Sequence, residues 1–151
     1  MKVSTNGKTF IKKEEGEILK PYKCPAGIWT ISVGCTTYQN GVAVKGTDRS
    51  LTQSESDALF SHHLIKVENW LNKHCTWIKT QNQFDALASF IHQYGTGFEN
   101  KYPNSYKTLK SGNEAEIVKL LETSFVNIVA GSGKKELLPR RKRETALFVK
   151  K

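Results

Sequence analysis

Glu15-Gly16-Glu17-Ile18-Leu19-Lys20-Pro21-Tyr22-Lys23-Cys24-Pro25-Ala26-Gly27-Ile28-Trp29-Thr30-Ile31-Ser32-Val33-Gly34 is the stretch on which the fold turns. Its second half, Ile28 to Val33, is dense in β-branched and aromatic side chains, and Cys24-Pro25-Ala26-Gly27 supplies the proline and glycine of a tight turn. The chain from Leu19 to Thr37 therefore reads as a β-hairpin. Period-2 alternation predicts Thr30 and Ser32 on one face and Trp29, Ile31 and Val33 on the other. Upstream, Thr9 to Glu15 reads as a short helix with Phe10 and Ile11 inward, and Gly16 fits its C-terminal cap. Glu15 thus stands at a helix end, Cys24 at a turn and Thr30 on the returning strand.

Downstream the pattern changes from strand to helix. Gln39 to Arg49, with Gly41, Gly46 and Asp48, reads as a loop. Thr52-Gln53-Ser54-Glu55 is a capping box, in which the threonine hydroxyl accepts from the amide at Glu55 while the glutamate reaches back to the amide of Thr52. The helix it opens carries Leu59, His63, Val67, Trp70 and Leu71 at helical spacing, which places Trp70 in the core. A second box, Thr80-Gln81-Asn82-Gln83, opens a helix with Phe84, Leu87, Ala88 and Ile91 on one face, ended by Gly95 and Gly97. Asn113, with Glu114 and Glu116 after it, caps a helix through Ile117, Leu120, Leu121 and Phe125. A final helix begins near Leu138 and runs through Arg141, Ala146, Leu147 and Val149. The class is α+β, with a small sheet near the front and a helical remainder.

Composition limits what such a chain does. At 151 residues with 38% hydrophobic and 25% charged residues it is built like one ordinary globular domain rather than a fibrous or disordered protein. The excess of 23 Lys+Arg over 14 Asp+Glu gives +9, a surface that attracts polyanions: nucleic acid, anionic lipid headgroups or acidic wall polymers. No run approaches the roughly 18 apolar residues of a membrane span, and the start, Met1 to Lys8, lacks the apolar core of a secretory signal, so synthesis and residence in the cytoplasm are expected. Three cysteines, Cys24, Cys35 and Cys75, are an odd number without C-x-x-C spacing, which argues against a disulfide framework. Adjacent His62 and His63 point to opposite sides of any helix or strand, so no metal is expected.

The spacing Glu15, eight residues, Cys24, five residues, Thr30 brings an acid, a turn residue and a strand hydroxyl into one region. Here the chain resembles the phage-type lysozymes of glycoside hydrolase family 24, whose motif is Glu, eight residues, usually Asp, five residues, Thr. The resemblance extends over Glu15-Gly16, Leu19-Lys20, Tyr22, Gly27-Ile28-Trp29-Thr30-Ile31 and Gly34. It continues in Gln81-Asn82-Gln83-Phe84-Asp85-Ala86-Leu87, Ser89-Phe90 and Gly95-Thr96-Gly97, and again in Leu138-Pro139-Arg140-Arg141-Lys142-Arg143-Glu144 and Ala146-Leu147-Phe148. Three blocks in order cover most of the chain.

The resemblance implies a lysozyme-like fold in one domain, 1–151. The β-containing lobe is expected at about 16–50 and the helical lobe at about 51–151, with the first helix packed on the latter and a cleft between the lobes. It also implies an endolysin: a muramidase that cuts the β-1,4 bond between N-acetylmuramic acid and N-acetylglucosamine in host peptidoglycan, without a cofactor, and lyses the host cell. A monomer is expected, waiting in the host cytoplasm until a separate pore-forming partner admits it to the periplasm. The catalytic residues are then Glu15, Cys24 and Thr30, supported on the substrate side by Arg141 and Gln93.

Glycoside hydrolysis needs an acid to protonate the leaving oxygen while a second group on the opposite sugar face directs water or attacks the anomeric carbon. As that acid, Glu15 requires burial or a donated hydrogen bond to lift its pKa from about 4.3, whereas a cation such as Arg141 lowers it and holds the carboxylate by a charge-assisted bond. Cys24 departs from the usual Asp, although a cysteine variant also occurs in the family. A thiol of reference pKa about 8.5 beside another acid is expected to be harder still to ionise, and its options are weak orientation of water, thiolate attack, or no role. Thr30 would hold the water or the sugar. A disulfide from Cys24 to Cys35 or Cys75 would silence such an enzyme.

Three rival readings arise from the same residues. The basic cluster Lys134-Lys135 and Arg140 to Arg143 invites nucleic acid, but no helix-turn-helix, zinc-finger or RRM signature accompanies it. No specific nucleic acid is expected; an anionic outer-membrane surface or the wall itself suits the charge. A cysteine amidase or peptidase would pair Cys24 with His62 or His92, yet Pro25-Ala26-Gly27 makes a turn where such a nucleophile usually opens a helix. A lysozyme-fold wall-binding module weakened by the cysteine is the third, against which the retained Glu15 and Thr30 speak.

Overall fold

The first helix begins four residues earlier than its apolar pattern suggests, because Ser4 starts it. In the computed structural model, α1 spans Thr5–Glu15, and the Ser4 hydroxyl accepts the amide of Gly7 at 3.0 Å while donating to the Asp85 carboxylate. Gly7 weakens the helical signal in the sequence, but a Cβ there would collide with the Asp85 carboxyl. Ile11 is buried as expected and Phe10 is half-buried.

The structure describes residues 1–130 and 133–151, and for residues 127–130 and 133–136 the backbone alone. After α1 come β1 (Ile18–Lys23), β2 (Trp29–Ser32), α2 (Gln53–His74), α3 (Gln81–Tyr94), α4 (Phe98–Lys101), α5 (Pro103–Ser111), α6 (Glu114–Thr123), β3 (Asn127–Ala130), β4 (Gly133–Glu136) and α7 (Leu138–Val149). β1 pairs with β2 antiparallel, and β3 with β4. Two compact units result: Thr9–Ile65, and Met1–Lys8 with Lys66–Lys151.

The unit Thr9–Ile65 is built on the hairpin. Its register pairs Ile18 with Ser32, Tyr22 with Thr30 and Lys23 with Trp29, with an irregularity between Ile18 and Tyr22. Behind the hairpin Ile31, Cys35, Val44 and Leu59 form a core, with Tyr38 and Leu51 packed on it. The expected two-faced alternation fails in this strand: Thr30, Ile31, Ser32 and Val33 are all buried, and Trp29 is 37% exposed. At Ser32 a φ of +60° leaves the extended region and ends the period of two there. The Thr52 box forms as expected, with Thr52 N–H to Glu55 Oε1 at 3.0 Å and Glu55 N–H to Thr52 Oγ1 at 3.1 Å, and α2 follows it.

The other unit is organised by α3, in which Gln83 to Ile91 are buried without interruption. Its Thr80 box is reciprocal and Gly95 ends it at φ +87°. Asn113 caps α6 through Glu116 N–H at 3.2 Å, but the helix stops at Thr123, so Phe125 reaches the core from beyond it. The sequence reading passes over α4 and α5, although Pro103 at the start of α5 and Gly112 in the left-handed region after it are ordinary boundary signals. In α7 the inward face is not Ala146 and Val149, which are exposed, but Arg140, Arg141, Glu144, Thr145 and Phe148.

Phe98 sits at the centre of an aromatic cluster, 5.1 Å from the Tyr102 ring, 5.5 Å from Phe90 and 5.8 Å from Phe125, and is fully buried. Phe98→Ala removes ring contacts on several sides at once and is expected to lower unfolding stability by about 3–5 kcal/mol. Urea unfolding checks this; a loss under 1 kcal/mol would mean that the cluster rearranges to fill the gap.

Candidate active site

The end of α1 and the hairpin place the three motif residues within one unit. Gly16, at φ +79°, donates its amide to the Lys12 carbonyl at 2.8 Å and turns the chain out of the helix directly after Glu15. β1 then leads to a turn closed by Gly27 N–H to the Cys24 carbonyl at 2.8 Å and by Cys24 N–H to the Ile28 carbonyl at 3.0 Å. That same Ile28 carbonyl accepts the Thr30 hydroxyl at 2.9 Å. Cys24 is half-buried and Thr30 buried, so the thiol is open to a ligand while the hydroxyl stands behind it.

Ionisation of Cys24 runs opposite to the expectation from sequence. A backbone hydrogen bond from Ile28 is the largest influence, and despite desolvation it combines with one from Ala26 and with the Thr30 hydroxyl to hold the thiol below its ordinary value. The push that opposes them is burial rather than a neighbouring acid, and it is outweighed because turn amides and a hydroxyl at hydrogen-bond range favour the thiolate directly. All three cysteines are free thiols; burial pushes Cys35 up to about 11 and Cys75 up to about 12.

Tyr22 stands in the sequence only as part of the framework shared with the family. It pairs with Thr30 across the hairpin, and its phenol is raised by burial and by the charges of Cys24, Glu15 and Cys35. The site therefore has a phenol within electrostatic reach of both Glu15 and Cys24.

In the other unit the structure brings Arg141 and Gln93 together. Arg141 is fully buried, donates to Gln93 Oε1, lies 3.0 Å from Glu144 Oε2, and holds its guanidinium 5.0 Å over Phe90 and 5.5 Å over Tyr94. Arg140 pairs with Glu144 at 3.1 Å, and Ser89 donates to Glu144 at 2.7 Å. Burial pushes the Glu144 carboxyl up, opposed by Arg141, Ser89 and Arg140. Two members of the supposed phosphate-binding cluster are thus internal, while the side chains of Lys134 and Lys135 lie outside the described residues. Trp70 is buried as expected; Trp77 donates to the Leu109 carbonyl at 2.8 Å and packs on Phe148, a structural rather than sugar-stacking position. Among the described residues no group of three His, Cys, Asp or Glu is placed to hold a metal ion.

Residues 12–144 match the phage lysozyme family model. The chain is 37% identical over 150 residues to the endolysin of Salmonella phage P22, covering 99% of both chains. It is 33% identical to the endolysin of Acyrthosiphon pisum secondary endosymbiont phage 1, covering 98% of both. The crystal structure of a P22 lysozyme mutant superposes with a TM-score of 0.81 at 33% identity, over 99% of each chain.

The thiol geometry makes a direct expectation for chemical labelling. Iodoacetamide alkylates Cys24 in the folded protein with a pH midpoint below the roughly 8.5 of a free thiol, and leaves Cys35 and Cys75 unlabelled below pH ~9. Peptide mapping by mass spectrometry reads the site; a midpoint above that of a free thiol would contradict the turn's stabilisation of the thiolate.

Proposed function

Because this chain belongs to the phage lysozyme family, we propose that its Glu15, Cys24 and Thr30 carry out the family's reaction. It is an endolysin, a muramidase that hydrolyses the β-1,4 bond between N-acetylmuramic acid and N-acetylglucosamine in peptidoglycan and so opens the host wall. The observation that carries the residue assignment is the shared Ile28 carbonyl, which accepts from Cys24 and from Thr30 and fixes both beside the strand that follows Glu15.

In this reading the Glu15 carboxyl gives its proton to the glycosidic oxygen as the C–O bond breaks. Cys24, as thiolate, takes a proton from a water that Thr30 orients toward the anomeric carbon. Solvent exchange then returns the proton from the thiol and reprotonates Glu15. Gln93 is assigned the substrate-binding part that the family pattern implies, and the buried Arg141, which donates to it, the supporting one. The +9 charge suits approach to an anionic wall or outer-membrane surface. Among the described residues no helix is long and apolar enough to cross a membrane. We place the enzyme, as a monomer, in the host cytoplasm until a separate pore-forming partner lets it reach the wall.

The decisive assay is clearing of permeabilised Gram-negative cells together with release of reducing ends from purified peptidoglycan. Glu15→Ala is expected to lose activity by about 10²–10⁴-fold, the usual worth of general acid catalysis, and Cys24→Ser by on the order of 10²-fold. New amino groups without reducing ends would instead identify an amidase or peptidase. Full activity of Cys24→Ser would remove the thiol from the mechanism.

The pH profile tests the base separately. The reaction needs Cys24 ionised, so activity rises as pH passes the thiol pKa. Cys24→Asp replaces that limb by one near 3.9, and the pH optimum is expected to move down. An optimum that stays in place would assign the limb to another group.

A further inference from the structure

Ser32 is the single non-glycine residue with positive φ among the described residues, at φ +60°, and it is fully buried two positions after Thr30. A side chain held in that conformation needs compensation from its surroundings. Its hydroxyl lies 2.6 Å from Ser56 Oγ and 3.1 Å from the Ser56 carbonyl. Ser56, also fully buried, donates its one hydroxyl proton to Glu17 Oε2 at 2.7 Å. The proton between the two serines therefore comes from Ser32, which gives the chain a direction: Ser32 to Ser56 to Glu17.

Glu17 is a charged terminus for that chain. It accepts from Gln53 Nε2 at 3.1 and 3.2 Å and pairs with Lys12 at 3.2 Å, while Lys12 and Gln53 also reach Asp57, at 2.5 and 2.9 Å. Burial pushes the Glu17 carboxyl up, but the Ser56 hydroxyl, the Gln53 amide and the Lys12 ammonium outweigh it and leave it below the ordinary range. Glu17 stands two residues after Glu15, across the Gly16 turn, just as Ser32 stands two residues after Thr30. The chain of hydroxyls thus ties α1, the start of β1, the end of β2 and the first turn of α2 to one another.

We propose that Glu17, Ser56 and Ser32 are positioning residues that set where Glu15 and Thr30 stand for glycan hydrolysis. This rests on the reading that Glu15 and Thr30 carry the reaction. The relay joins the residues that stand two positions after each end of the proposed catalytic motif, through a buried bond at Ser32 and a part-buried one at Glu17, so its loss displaces the backbone that carries the reacting groups without touching the sugar.

The test compares Ser56→Ala and Glu17→Gln with wild type on purified peptidoglycan, at a temperature where circular dichroism shows each variant folded. Both are expected to lower kcat about 10-fold with KM within twofold, in the range of rate losses that small misplacements of reacting groups produce. Ser56→Ala is also expected to raise the pH midpoint of Cys24 alkylation, because a displaced Thr30 loosens its bond to the Ile28 carbonyl and with it the Ile28 contact that favours the thiolate. If Ser56→Ala does not fold, Glu17→Gln, isosteric and partly solvent-accessible, carries the test alone. Unchanged kcat, or a change confined to KM, overturns the relay. Glu15→Ala run in parallel separates the two failures: if it keeps activity, the catalytic reading fails; if it is inactive while both relay variants turn over like wild type, only the relay does.

Discussion

The backbone of one residue, Ile28, holds the hairpin turn and the thiol together. Its carbonyl accepts the Cys24 amide and the Thr30 hydroxyl, and its backbone hydrogen bond is the largest influence favouring the Cys24 thiolate. A strand that merely alternated faces would not do this. The turn Cys24-Pro25-Ala26-Gly27 must close tightly enough for Ile28 to face back across it, and Gly27 at φ +78° permits that closure. The geometry of the thiol and the folding of the hairpin are consequently one event, and substitutions in the turn that preserve Cys24 still disturb its ionisation.

The other unit solves a different problem, burial of charge. Arg140, Arg141 and Glu144 are all buried on one face of α7, where an unpaired guanidinium would be strongly unfavourable. Glu144 lies against both arginines, Ser89 donates to it from α3, and Phe90 and Tyr94 offer their ring faces to Arg141. Breaking one member leaves the others uncompensated, so the cluster fixes α7 on α3 in a single arrangement rather than adding much net stability. It also changes the meaning of the chain's basic composition: the formal charge of +9 includes two arginines that face inward.

Much of this was legible from local signals. Both capping boxes, the Gly16 helix stop, the Asn113 cap and the hairpin depend on interactions within a few residues, and each forms as the residue types dictate. What escaped the reading depends on partners distant in sequence. Ser32 looks like an ordinary strand residue, and its positive φ makes sense only with Ser56 opposite it. Arg140 and Arg141 look like solvent-facing charges until Ser89 and Glu144 surround them. The proposed catalytic triplet is marked by its spacing and family resemblance, whereas Tyr22 has no local mark to separate it from any other strand tyrosine, and its position opposite Thr30 appears only with the register.

A cysteine in place of the commoner aspartate sets two demands against each other. In the proposed mechanism the thiol must lose a proton near neutral pH while an acid in the same unit keeps one. A lysine or arginine beside Cys24 would favour the thiolate, but its field reaches several ångströms and would favour the ionised acid as well. Backbone amides and a hydroxyl act at hydrogen-bond range, so the Ile28, Ala26 and Thr30 contacts lower the thiol without supplying a cation to the acid. The resulting thiolate, being an anion, opposes the ionisation of a neighbouring carboxylic acid. The Tyr22 phenol is raised first by burial, and negative charge on Cys24, Glu15 and Cys35 adds to that. Stabilising the Cys24 thiolate by dipoles rather than by charge therefore confines the effect to the thiol itself, as the roles proposed for Cys24 and Glu15 require.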